Sequence, residues 1–96
     1  MAIRMKYVFL DGEKISSNSE LHTAFHEALS FPDYCGKNLD ALHDCITDIQ
    51  GDICVIAVNT LLLSENIGRR WNSFLRLMND LSKKKEGFRF IEEPFE

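Results

Sequence analysis

Four aspartates recur at one interval: Asp40, Asp44, Asp48 and Asp52 follow one another every fourth residue within "NLDALHDCITDIQGD". If this stretch is helical, 3.6 residues per turn stack the carboxylates along one face. A glycosidase would need two such groups flanking a sugar, and a cation site would need ligands that wrap around the ion. Side chains on successive turns of one helix do neither unaided, and the calcium-loop pattern D-x-[DN]-x-[DN]-G is missing. What remains is a solvated helix face or an anionic surface kept for a cationic partner. Solvation alone explains the ridge poorly, because like charges at i and i+4 cost a helix roughly 0.2–0.5 kcal/mol per pair. The only Lys or Arg between Asp33 and Asp52 is Lys37. Asp44 and Asp48 also lie beyond the first turn, where the helix dipole favours acids most.

Other residues with chemical potential are weaker. His22 and His26 have the i,i+4 spacing of metal ligands, but no Glu follows His22 and no third ligand is evident, so a solvated helix flank is expected. His43 and Cys45, with Cys35 nearby, hint at nucleophilic chemistry, yet Cys45 and Cys54 suit small core positions better. The three cysteines form no CxxC pair and no zinc spacing, and are expected to be free thiols in a reducing compartment. "ENIGRR" is no phosphate loop, and Lys83 to Lys85 suit a solvated helix end. No catalytic set, metal set or cofactor motif emerges, so the chain is not expected to be an enzyme.

The charge balance locates the ridge within the whole chain. Of the net charge of −4, all resides in residues 33–52, where five Asp face one Lys; the other acidic and basic side chains cancel. A focused negative surface repels nucleic acid and suits a basic protein. The apolar runs are too short for a signal-peptide core or a membrane span, so a cytoplasmic protein without membrane association is expected. Ninety-six residues suffice for one core, hence one domain over 1–96, a monomer when free.

The elements that position the ridge are legible. "YVFL" before Asp11-Gly12 predicts a strand ending in a turn. Ser17 and Glu20 form a capping box for a helix whose apolar stripe is Leu21, Ala24, Phe25, Ala28 and Leu29, ended by Pro32. Asn38 is an N-cap for the acidic helix, with Leu39, Leu42, Ile46 and Ile49 facing inward. "ICVIAV" predicts a strand buried on both faces. A short helix around Leu61 to Glu65 and a long one from about Gly68 to Lys85 follow, with Gly87 as the C′ glycine and "FRFIEE" as the last strand. Strands alternating with helices give an α/β fold, a small three-stranded sheet, parallel, packed with about four helices.

"FPDYCGKNLDALHDCITDI" closely resembles the segment that marks the barstar family of ribonuclease inhibitors, and the similarity extends through "DGEKI" and "LHTAFHEAL" and more weakly to about residue 92. The resemblance implies an intracellular immunity protein whose acidic helix and preceding loop plug the basic active site of a secreted ribonuclease. Carried over by position, Asp44 would reach deepest, with Asp40 beside it. Tyr34, Cys35 and Asn38 would contact the enzyme from loop and cap, His43 and Thr47 from the helix, and Asp80 from the long helix. Cys35, His43 and Ile49 stand where the family pattern has aromatic residues, and Lys84 where it has a second acid. These departures leave a different basic protein or toxin as the alternative partner.

Overall fold

The computed structural model describes residues 5–93, so the ends of the expected 1–96 domain lie outside the described residues. Seven elements follow in the order β1 (Met5–Asp11), α1 (Asn18–Leu29), α2 (Leu39–Asp48), β2 (Asp52–Val58), α3 (Thr60–Ile67), α4 (Arg69–Lys84) and β3 (Phe88–Glu93). The three strands form one parallel sheet in the order β1-β2-β3, with Val8 opposite Val55 and Val55 opposite Phe90. The expected α/β architecture, a parallel sheet with four helices, is what the chain adopts.

The topology explains where the core lies. Both crossovers step across the sheet in the same direction, and parallel crossovers are right-handed almost without exception. Both helix pairs therefore land on one face. Val8, Leu10, Ile53, Val55, Ala57 and Phe88 point into that face and join Phe25, Ile46, Phe74 and Met78 from the helices in one cluster. The opposite face carries the register row Phe9–Ile56–Ile91, with Phe9 65% and Ile91 44% exposed. The expectation that β2 is buried on both faces thus holds only in part. Cys54 is buried, but Ile56 and Val58 remain half-exposed because no helix covers that side. A continuous apolar run reads the same whether one face or two are covered.

Local signals set the element ends. Ser17 Oγ accepts from the Glu20 backbone N–H, while the Glu20 carboxylate accepts from Ser16 N–H and Oγ, one residue before the position of a strict capping box. α1 stops at Ser30, which takes a left-handed conformation ahead of Pro32. Asn59, at φ 52°, turns the chain from β2 into α3. Its side-chain amide donates to Asp11 Oδ1 at 2.9 Å and so ties together the ends of β1 and β2. A Cβ on Gly12 would collide with the Asn59 carbonyl, so this close approach requires glycine.

Candidate functional site

Asn38 is the N-cap that was expected: its backbone is extended and Oδ1 accepts from Ala41 N–H at 2.8 Å. This starts α2 one residue before Asp40 and so sets which way each carboxylate points. Asn38→Ala should cost about 1 kcal/mol of folding stability, the usual loss for a capping side chain, readable by urea denaturation. Leu42 and Ile46 bury the inward stripe against the core, with Leu39 and Ile49 packed at its margin. The opposite side is therefore forced outward.

Asp40, Asp44 and Asp48 are all exposed, Asp44 by 83% of its side chain. Among the described residues no Lys or Arg lies within ion-pairing distance of any of the three. The nearest titratable neighbour of Asp44 is His43, whose Nδ1 lies 3.5 Å from Asp44 Oδ1. Thr47 is exposed, and its hydroxyl donates to the His43 carbonyl at 2.7 Å. Asp52 does not extend the ladder. The helix ends at Asp48, Gly51 turns at φ 101°, and Asp52 opens β2 opposite Met5. The ridge is three carboxylates long.

The loop between α1 and α2 returns along α1 to reach the cap, and two ties hold it. Lys37 Nζ donates to Thr23 Oγ1 at 3.0 Å. Cys35 is bonded to Cys45 by a disulfide, which overturns the expectation of three free thiols; only Cys54 is free, and it is buried. The loop's path brings Cys35 against the middle of α2, a proximity that a spacing of ten residues does not reveal. Cys45 is accordingly a half-buried bridge partner rather than a core thiol. Cys35 itself is 4% exposed, so it offers little surface and instead pins the loop. Tyr34, next to it, projects outward with 89% exposure and borders a small cavity with Cys45 and Asp48. The structure therefore brings Tyr34, Asn38, Asp40, His43, Asp44 and Thr47 onto α2 and its loop.

Asp80 lies on α4 and is paired with Lys84 across one turn at 3.3 Å. α4 runs parallel to α2: Arg70 and Ser73 share a cavity with Leu39 and Asp40, and Lys85 Nζ donates to the Ile49 carbonyl at 2.7 Å. Asp80 thus stands on a second helix, half-neutralised by its own lysine.

His22 departs from its expected place on a solvated flank. It is 1% exposed, at the border of the α1 stripe, and neither ring nitrogen has a hydrogen-bond partner. Its spacing from Phe25 and Leu29, three and seven residues, was a signal for this burial. Burial, helped by the nearby charges of His26, Lys37 and Arg70, pushes the His22 ring below the usual histidine range. Between the lowered folded value and the unfolded value near 6.5, the unfolded chain binds more protons, so stability rises with pH across that window. Melting temperature should therefore fall as pH drops below about 6.5, with a slope of at most about 1.4 kcal/mol per pH unit from this group. His22→Gln should flatten that acid-side loss in melting curves taken from pH 7.5 to 5.

Among the described residues no helix is long and apolar enough to cross a membrane, and no group of three metal-ligating side chains is present. A family model described as Barstar (barnase inhibitor) matches residues 5–92. A Bacillus subtilis (strain 168) protein named "Putative ribonuclease inhibitor YrdF" is 29% identical over 91 residues, covering 93% of this chain and 100% of that protein. The α2 ridge, its disulfide-held loop and the parallel three-stranded sheet therefore sit in a chain that belongs to the Barstar (barnase inhibitor) family.

Proposed function

We propose that this protein inhibits a secreted, basic ribonuclease, acting as an intracellular immunity protein without catalysis of its own. The observation that carries the reading is the α2 ridge, three exposed carboxylates with no lysine or arginine paired to them among the described residues. A ribonuclease active site binds phosphates with cations. Asp40, Asp44 and Asp48 would replace those phosphates, and the cations would relieve the repulsion along the helix. Tyr34 supplies the aromatic anchor, Asn38 and Thr47 supply polar contacts, His43 flanks Asp44, and Asp80 adds a peripheral charge. Cys35 acts through the loop it holds. The family and the similarity to a Bacillus protein named as a ribonuclease inhibitor support this role.

One observation favours a second reading, a basic toxin of other chemistry. With Cys35 buried and His43 in an aromatic position, Tyr34 is the one aromatic side chain that stands far out of this surface. The deciding experiment titrates the purified chain, a monomer by expectation, into basic microbial ribonucleases and follows RNA cleavage. Stoichiometric loss of activity that Asp44→Ala abolishes supports the inhibitor reading. Absence of inhibition across these ribonucleases would favour the second.

A further inference from the structure

The sheet has one face without a cover. All-parallel sheets occur almost only with both faces buried, whereas a face left in water normally turns polar. Here the helices pack on the side that Val8, Val55 and Phe88 point into, and among the described residues no helix lies over the other. That other face is nonetheless apolar. Phe9 is 65%, Tyr7 56% and Ile91 44% exposed, and Ile56 is half-exposed between Phe9 and Ile91.

The register arranges this face in rows across the strands. The middle row is Phe9–Ile56–Ile91. Towards the strand starts lies Tyr7–Cys54–Arg89, with one cation and no acid; towards the strand ends lies Asp11–Val58–Glu93, with two acids. The Asp11 carboxylate is engaged at its own strand end, accepting from Glu13 N–H and from the Asn59 amide. Arg89 and Glu93 are exposed, and neither is ion-paired among the described residues. A two-fold axis along the middle row turns a second copy over and reverses its strands. Phe9, Ile56 and Ile91 then meet their own counterparts, and Arg89 comes opposite the partner's Glu93, twice per dimer. The pattern is its own complement, as a two-fold interface requires. Charge selects this axis, because a two-fold along the strands would lay Asp11 over the partner's Glu93, acid against acid.

We propose that this face is the interface of a homodimer, two copies packed sheet to sheet about that axis with Arg89 of each paired to the partner's Glu93. Packed sheets lie about 10 Å apart with strands within about 30° of each other, a gap that Phe and Ile side chains fill. Tyr7 and Phe9 each leave about 100 Å² uncovered, more than half of what an aromatic side chain can bury. With Ile91, Arg89 and Glu93 each copy contributes roughly 500 Å², so the whole interface reaches about 1,000 Å², the lower limit for a specific contact. The dimer is therefore weak, and the dilute chain is monomeric. Since α2 packs on the covered side of the sheet, the carboxylate ridge stays free in the dimer, which does not depend on the inhibitor reading.

Sedimentation velocity of the full chain at low ionic strength, from micromolar to millimolar concentration, tests this. A reversible rise in mass from 11.1 kDa towards twice that value is expected. Phe9→Thr, at an exposed strand position, should raise the midpoint concentration about tenfold or more. Arg89→Glu and Glu93→Arg should each do the same alone, because each sets like charges opposite one another. Mixed in equal amounts, these two charge variants should associate with each other about as well as wild type does with itself, since both contacts are then of opposite sign. That recovery also shows that both variants fold. A chain that keeps the mass of one copy at millimolar concentration overturns the dimer. So does association that Phe9→Thr leaves intact, or a mixture of the two charge variants that stays monomeric.

Discussion

Asp44→Ala should weaken the complex with the cognate ribonuclease at least about a hundredfold. Removing one partner of a desolvated charge pair at an interface costs on the order of 2–5 kcal/mol or more, mostly because the other charge is left buried and unpaired. That range owes much to charge pairs of the barnase–barstar complex, this family's own, and only its magnitude is carried over here. In the proposed complex Asp44 would make such a pair; it is central among three exposed carboxylates and anchored on a capped helix. The loss should appear mainly in dissociation, while added salt slows association for both proteins. The free protein should respond the other way. Asp44 belongs to two like-charge i,i+4 pairs, so its removal should relieve about 0.4–1 kcal/mol, a rise of several degrees in melting temperature that salt diminishes. Surface plasmon resonance and melting curves on one pair of proteins measure both. Unchanged affinity would sink the assignment of Asp44, and a less stable mutant would sink the claim that the ridge strains the free helix.

Reducing the Cys35–Cys45 bond should destabilise the free protein by about 2–3 kcal/mol. A bond across ten residues removes loop-closure entropy from the unfolded chain, and a loop of about fifteen residues gives about 3 kcal/mol on the same account. For a domain of this size the loss corresponds to roughly 10–20 °C in melting temperature. Cys35→Ser should reproduce it without reductant, and Cys54→Ser should leave the response to reductant in place. The bond also holds the loop that carries Tyr34 beside α2, so reduction should weaken partner binding beyond what stability alone explains. Intact-mass measurement after alkylation of the unfolded, unreduced protein checks the premise: one alkylated thiol is expected, and three would remove the bond from the account. Disulfides are rare in reducing compartments, so the same measurement on protein trapped from cells tells whether the bond is closed where the protein works.

What sequence alone determined here is what neighbours along the chain determine. Asn38 caps α2 because its side chain reaches a backbone N–H three residues on, an interaction complete within one turn. Leu42 and Ile46 face inward because helical periodicity leaves them no other side, and the same periodicity turns Asp40 and Asp44 outward. The parallel sheet followed from strands alternating with helices, since parallel partners need a crossover. Tertiary structure decided whatever depends on residues far apart in the chain. Asp52 kept the spacing of the ladder but joined β2, because pairing with β1 after the Gly51 turn outweighed one more helical turn. β2 reads as doubly buried, yet two crossovers of one hand put every helix on one side and left Ile56 at a half-open face. His22 became a buried, unpartnered ring at the border of an open cavity, and Cys35 met Cys45 because the loop folds back on α2. Local hydrogen bonds and periodicity act over one or two turns, whereas burial and bridging are set by packing between elements that only the folded chain brings together.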